Sequence, residues 1–339
     1  MSTDAGTAPD ARPAVARPAV AGLYLGVDGG GTKTRFVLVD AGGAIRAEAQ
    51  LGTTYHPEVG LDGVYRILEA GVDAVLAPLG AGREAIAFAF FGLPAYGEDS
   101  GVAPRLDAIP RQVLGHDRYA CGNDMVCGWA GSLACADGIN IVAGTGSIGY
   151  GQRAGRGARA GGWGDAFSDE GSAYWIAAQG LNLFSRMSDG RLPRGPLHAL
   201  LVERLALAQD LDICARVYGE RAWTRGQLAQ LSPLVAEAAA QGDAQAARLF
   251  ERAGEELAVI ADAIRRRLAF APDEQVPVSW SGGAFSAGER LLQPFADALA
   301  RREAGFELRA PRHPPHYGAA LYAARLAGRP IAPDAAAGA

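Results

Sequence analysis

The alternation of apolar and polar positions divides the chain into two successive cycles of strands followed by helices. Residues 23–28 form a short apolar run that ends in an acid, residues 29–34 are dominated by glycine, and residues 35–40 are apolar again. Two β-rich runs joined by a glycine turn predict a hairpin. Residues 44–51 extend it as a meander. Between 60 and 79, Val64, Ile67, Leu68, Val72, Val75 and Leu76 recur at spacings of three and four, which predicts an amphipathic helix. Residues 85–92 then read as a buried strand.

The second cycle starts with a helical reading for 123–135, a strand at 138–143, and glycine-laced paired strands over 144–164. From Ser168 a helix is expected to run through Phe184, with Asp169 and Glu170 in its first turn, where carboxylates complement the helix dipole. Phe250, Leu257, Ala261, Ile264 and Leu268 share one face of a long helix over 243–270, which Pro272 ends. A strand at 276–280, a helix at 286–300 and a last helix at 317–326 complete the pattern. Repeated strands then helices predict two α/β domains of related build. The expected layout is an N-terminal tail (1–20), a first domain (21–120) completed by a C-terminal helix at about 315–328, a second domain (121–314) and a flexible tail (329–339).

Length agrees with two domains, since 339 residues exceed the usual size of one compact core. The formal charge of -5 comes with no basic run, so no nucleic-acid or membrane footprint is expected and any anionic ligand must be held locally. The four cysteines, Cys121, Cys127, Cys135 and Cys214, match neither a zinc site nor a redox pair. They read as buried, reduced thiols. Residues 11–20 carry a doubled Ala-Arg-Pro-Ala-Val whose prolines and lack of an apolar segment argue against a secretion signal. No apolar stretch approaches the ~20 residues of a membrane span, and a cytoplasmic location is expected. Glycine, at 46 residues, is about twice its usual usage and lies in clusters, which marks backbone that must turn tightly or approach a ligand.

Three of those clusters carry chemistry. Asp28-Gly29-Gly30-Gly31-Thr32-Lys33-Thr34 removes side chains where backbone N–H groups can wrap phosphate oxygens, and Thr32 and Lys33 add a hydroxyl and a positive charge. It is not a P-loop, because Thr32 separates Gly31 from Lys33 and a strand follows instead of a helix. The bland alternative is a plain hairpin turn, which needs only one or two glycines. The second cluster, Gly144-Thr145-Gly146-Ser147-Ile148-Gly149, satisfies G-x-G-x-x-G on paper but opens no helix, so the dinucleotide reading fails. A second phosphate-cradling hairpin with hydroxyls from Thr145 and Ser147 fits. The third, Ser281-Gly282-Gly283, lies between a strand and a helix, where backbone can approach a nucleoside or simply turn. Asp124 reads either as a helix N-cap or as a carboxylate brought near the phosphates. Asp165 and Asp169, beside Gly162-Trp163-Gly164, read either as acids of a helix terminus or as part of a sugar pocket, where aromatic faces and carboxylates meet hydroxyl groups.

Taken in order, these motifs resemble the actin/hexokinase-like ATPases, and within them the N-acetylglucosamine kinases of the BadF/BadG/BcrA/BcrD type. The resemblance rests on residues 26–34, 144–147 and 281–283, and more specifically on Gly162-Trp163-Gly164 with residues 169–176. It implies two ribonuclease-H-like domains with ATP and Mg²⁺ in the cleft between them, an amino-sugar substrate and a homodimer. By the same resemblance Asp124 falls at the catalytic base, and Gly30, Gly31, Thr32, Lys33, Gly144, Thr145, Gly146, Ser147, Gly282 and Gly283 fall at ATP contacts. Asp28 falls where Mg²⁺ is held through water, and Tyr55, His56, Asp124, Gly162, Trp163, Gly164 and Asp169 fall at the sugar. Two positions depart from the pattern. Tyr55 or Thr54 stands where an Asn precedes His or Tyr, and Ala166-Phe167-Ser168 replaces a Leu-Gly-like pair. The implied reaction is phosphorylation of N-acetylglucosamine to its 6-phosphate. Glucosamine as acceptor stays open, as does an ATPase activator of a CoA-ester dehydratase or reductase, which would need cysteine ligands for an iron–sulfur cluster.

Overall fold

The computed structural model of the chain describes residues 22–302 and 305–332. The tail expected at 1–20, and residues 333–339 of the one expected at 329–339, lie outside the described residues. The chain forms two compact units, the first running to Asp137 and resuming at Ala310, the second spanning Gly138–Arg309.

In the first unit, β1 (Leu23–Gly29), β2 (Thr34–Val39) and β3 (Ile45–Leu51) form the meander. Helix α1 (His56–Leu76), β4 (Ile86–Leu93), α2 (Ala103–Leu114), β5 (Tyr119–Asn123) and α3 (Met125–Ser132) follow. The strand order is β3-β2-β1-β4-β5, with β1 antiparallel to β2 and parallel to β4. Gly60 has φ 67 and ψ 172 inside α1, so its first turn is set apart and the regular helix begins where the apolar spacing does. Val64, Leu68, Val72 and Val75 of that helix are fully buried beside Phe36, Leu38 and Phe91.

In the second unit, β6 (Gly138–Ala143), β7 (Ser147–Arg153) and β8 (Arg156–Gly161) repeat the meander. Five helices follow: α4 (Ala173–Ser188), α5 (Pro196–Arg204), α6 (Asp212–Tyr218), α7 (Arg225–Ala229) and α8 (Ser232–Ala240). The long α9 (Ala244–Arg267), β9 (Val276–Ser281), α10 (Glu289–Ala300) and β10 (Phe306–Leu308) complete it. Its sheet order, β8-β7-β6-β9-β10, reproduces the first sheet, with β6 antiparallel to β7 and parallel to β9. Both units therefore end in a parallel extension of an antiparallel meander, a ribonuclease-H-like arrangement. The last helix, α11 (Pro315–Leu326), returns to the first unit, where Gly26 of β1 sits against its backbone at His316 and Ala320.

Three details differ from the sequence reading. The first unit extends to Asp137 rather than ending at 120: residues 119–123 form a strand paired in parallel with β4, and the helix read at 123–135 follows it in the same unit as α3. Helix α4 begins at Ala173 with Ser172 as N-cap, its hydroxyl accepting from the Trp175 amide at 3.1 Å. Asp169 thus precedes the helix, at φ 61. Residues 286–300 divide into a 3-10 turn at Gly283–Ala287 and α10. Among the described residues, no helix is long and apolar enough to cross a membrane.

Candidate active site

The glycine turn after β1 is braced from within its own unit. The Gly30 amide donates to the Lys33 carbonyl at 2.8 Å, and the Thr53 hydroxyl donates to the Gly30 carbonyl at 2.7 Å. The Thr34 hydroxyl bonds Thr54 in a buried pair at 3.1 Å. Thr54 is therefore occupied in holding the turn, and of the two candidates at that position Tyr55 is the exposed one. His56 opens α1 with its ring Nδ1 buried and without a hydrogen-bond partner among the described residues. Gly31, Thr32 and Lys33 are exposed at the tip. Among the described residues, none but its chain neighbours lies within 4 Å of where a Gly31 side chain would begin, so packing does not demand glycine there.

At the base of this turn two carboxylates approach. Asp28 is on the last stretch of β1, and Asp124 occupies the N-cap position of α3 without making a side-chain capping bond. A side chain at Gly92, which pairs with Asp28 across β1 and β4, would run into the Cys127 sulfur and come within 3.3 Å of the Asp124 Cα. That missing side chain is what lets the start of α3 lie against the strand ends. Burial, and next the charge of Asp124, push the Asp28 carboxyl up to about 7, although Arg35, the Cys127 thiol and Lys33 draw it down. Neighbouring like charges and desolvation act in the same direction on an acid.

The shift makes stability depend on pH with a definite sign. Folded Asp28 keeps a proton between about pH 4 and 7 while the unfolded carboxyl has lost it, so the folded state binds more protons and stability falls as pH rises through that window. Asp28→Asn is expected to remove the penalty, on the order of a few kcal/mol at most. Its melting temperature at pH 8, measured without nucleotide or metal, should exceed that of wild type and change less between pH 4 and 7. A lower melting temperature at pH 8 would contradict this origin of the shift.

The second unit contains the matching turn. The Gly144 amide donates to the Gly146 carbonyl at 2.8 Å, and the exposed Thr145 forms the tip. This turn is fastened to residues 169–173: the Ser147 hydroxyl donates to the Glu170 carbonyl at 2.7 Å, the Ser147 amide to Asp169 at 3.3 Å, and the Ala173 amide to the Gly144 carbonyl at 2.8 Å. Asp169 is buried and ion-paired with Arg225. Burial raises its carboxyl from the ordinary range, opposed by Arg225 and the Ser147 amide. Just ahead of it, Trp163 and Phe167 are 70% and 76% exposed, large aromatic faces from which the core gains nothing.

Gly282, at φ 101, lies against the Ala143 carbonyl at the start of the same turn, and Gly283 opens the 3-10 turn that follows. Beside that 3-10 turn is a pocket of about 220 Å³, walled by Ile176, Pro233, Ala236, Phe250, Ala287 and Arg290. A mainly apolar pocket with a few polar groups in its lining, next to a glycine strand-to-helix turn, has the character of a site for a flat ring system. Arg225, Thr53, Gly92 and the pocket helix α8 had escaped the sequence reading. Only Gly92, a lone glycine inside an apolar strand, left a local signal.

Residues 25–323 match the BadF/BadG/BcrA/BcrD ATPase family. The chain belongs to that family. It is 27% identical over 314 residues to an N-acetyl-D-glucosamine kinase of Dictyostelium discoideum, covering 89% of this chain and 97% of that one. It is 26% identical over 278 residues to an N-acetylmuramic acid/N-acetylglucosamine kinase of Clostridium acetobutylicum, covering 81% of this chain and 89% of the other. A crystal structure from Chromobacterium violaceum, provisionally named an N-acetylglucosamine kinase, is 28% identical with a TM-score of 0.67, and covers 90% of this chain and 100% of its own. At the level of fold alone, a glucokinase from Streptomyces griseus superposes with a TM-score of 0.53 at 18% identity over 91% of this chain and 100% of that one.

In this family member the cysteines are dispersed. Cys121 lies on β5, Cys127 inside α3, Cys135 beyond it, and Cys214 is exposed on α6. Burial raises the Cys121 and Cys127 thiols well above their ordinary value and Cys135 to about 12. Such thiols stay protonated and pack as small apolar groups.

Proposed function

We propose that the protein transfers the γ-phosphoryl group of ATP to a hydroxyl of an amino sugar, with N-acetylglucosamine as acceptor and its 6-phosphate as product. The observation that carries the reading is the Asp28–Asp124 pair at the foot of an exposed glycine turn, in a chain whose named relatives are amino-sugar kinases over most of their length. Each glycine turn would offer a tip hydroxyl, Thr32 in one and Thr145 in the other, and the amides beside it to phosphate oxygens, while the Gly30, Gly144 and Ser147 amides are already donated within the protein. The pocket beside Gly283 would take the adenine ring.

Asp124 accepts the proton of the sugar 6-hydroxyl as that oxygen bonds to the γ-phosphorus, and ADP leaves with the electron pair of the broken P–O bond. Protein groups mainly position reactants and neutralise charge in such a transfer. Trp163 supplies an aromatic face for the sugar ring, with Tyr55 and His56 as further contacts from α1's start.

Magnesium fits the residues present. Among the described residues, no set of three or more His, Cys, Asp or Glu side chains could enclose a metal. A crowded pair of carboxylates, one pushed up to about 7 by burial and the other's charge, suits an ion that keeps most of its water and phosphate ligands. Asp28 would hold it, through water, and the bound ion would screen phosphate charge.

Initial rates with N-acetylglucosamine, glucosamine, N-acetylmannosamine and glucose test the reading. N-Acetylglucosamine should give the highest kcat/KM. Slow ATP turnover that no sugar in the panel stimulates would overturn it.

A further inference from the structure

The loop ahead of α4 and the turn 144–147, already fastened by the Ser147 and Ala173 hydrogen bonds, also share one side chain. Arg225 is the first residue of α7, a short helix held by a reciprocal cap in which the Thr224 amide donates to Gln227 Oε1 at 2.9 Å and the Gln227 amide to Thr224 Oγ1 at 3.3 Å. A cation in a first helical turn works against the helix dipole, so the helix itself gains nothing from arginine there. Its guanidinium instead lies between two carboxylates at the two ends of one loop: Asp165, 3.4 Å from its Nε, and the buried Asp169, which it pairs directly. The same guanidinium abuts Gly146, where any side chain would displace it. Asp169 in turn accepts from the Ser147 amide at 3.3 Å.

We propose that Arg225 is a positioning residue that clips loop 165–169 shut and locks it to the turn 144–147, so that one side chain sets the register of both acceptor and nucleotide. This rests on the functional reading above, in which Trp163 faces the sugar and Thr145 the phosphates. The guanidinium bonds Asp169 through a terminal nitrogen and faces Asp165 as an ion pair, its Nε making no hydrogen bond among the described residues, a planar arrangement that lysine does not provide. Removal of Arg225 leaves Asp169 a buried carboxylate without its counter-charge, and the loop and turn relax together.

The test compares wild type with Arg225→Gln, Arg225→Lys and Asp165→Asn in steady-state kinetics, in calorimetric binding of the non-hydrolysable ATP analogue AMPPNP with Mg²⁺, and in thermal unfolding. Arg225→Gln should raise both the sugar KM and the AMPPNP Kd and lower kcat/KM by about 10²-fold, the usual cost of an ångström-scale misplacement. Arg225→Lys should recover part of both constants. Asp165→Asn, which keeps the buried pair intact, should raise both by a few fold and carries the test if Arg225→Gln does not fold. In an Asp169→Asn background, Arg225→Gln should add little, because the two act through one contact. A variant that melts earlier with unchanged constants, a change in only one of the two, or full multiplicativity with Asp169→Asn would overturn the proposal. If wild type phosphorylates no sugar, the acceptor reading fails, and the AMPPNP measurement alone still decides whether Arg225 holds the phosphate-side turn.

Discussion

Asp124→Asn should lower kcat by about 10²–10⁴-fold with saturating N-acetylglucosamine and ATP, the range typical for removal of a general base. The substitution keeps the size of the side chain at the N-cap of α3, and asparagine is itself a favoured residue at that position. Folding should therefore be spared. It also removes the charge that helps raise the Asp28 carboxyl, so Asp28 becomes a stronger acid in the variant. Activity and stability should thus separate: kcat collapses, while the melting temperature holds or rises at pH 8. The measurement is a coupled ADP-release assay at saturating substrates, with unfolding followed on the same preparation. Retention of wild-type kcat would remove Asp124 from the role of base. A rise in the sugar KM with unchanged kcat would make it a binding group only, since uniform binding leaves kcat untouched.

Gly318→Val should destabilise the fold by about 3 kcal/mol or more, at the upper end of what overpacking costs. Helices α3 and α11 touch backbone to backbone. A Cβ on Gly318 would strike the Gly131 amide and come within 2.7 Å of the Ala130 carbonyl carbon, and a Cβ on Gly131 would meet the His313 and Pro314 carbonyls at 2.7 and 2.8 Å. Neither side can yield by rotating a side chain. Ala319, Ala320, Ala323 and Ala324 of α11 are fully buried, and one turn and two turns on from Gly318 the larger Tyr322 and Arg325 pack on Trp129 of α3. The consequence reaches the site, because α3 carries Asp124 at its start and cannot be pushed away from α11 without moving that carboxylate. Chemical denaturation should report the loss, and the folded fraction should have a lowered kcat. Gly328→Ala is the control. It has φ 72 and, among the described residues, no neighbour within 4 Å beyond those adjacent in the chain, so it should cost only the left-handed backbone strain, about 1–2 kcal/mol. Equal effects from the two substitutions would show that the helix contact is not the source.

The parts of this fold that were readable in the sequence are those whose signal is local. The meanders at 23–51 and 138–161 declare themselves by apolar runs broken at glycine, and α9 by a face of buried residues repeated over six turns or more. Strand β5 was missed because Tyr119-Ala-Cys-Gly-Asn123 is an edge strand with little β-branched character and a half-buried pattern. Its identity comes from pairing with β4, which no window of the sequence contains. Helices α5 to α8 are five to nine residues long, too short for periodicity to stand out. The start of α4 was placed early because Asp169 and Glu170 read as first-turn acids, while the left-handed Asp169 and the Ser172 cap set the boundary.

The candidate site divides in the same way. Sequence alone determined that there are three glycine turns at strand ends, that an acid stands at the end of the first strand, and that tryptophan and carboxylates crowd one loop, because each is a property of neighbouring residues. Tertiary structure decided which carboxylates meet and what they hold. Asp28 and Asp124 come together only because β4 lies beside β1 and lacks a side chain at Gly92. Asp169, read from sequence as a helix-end acid or a sugar contact, is held by an arginine 56 residues away while it fastens the Ser147 amide. Charge pairing, burial and backbone contact are relations between distant segments, and they exist only once the chain has folded.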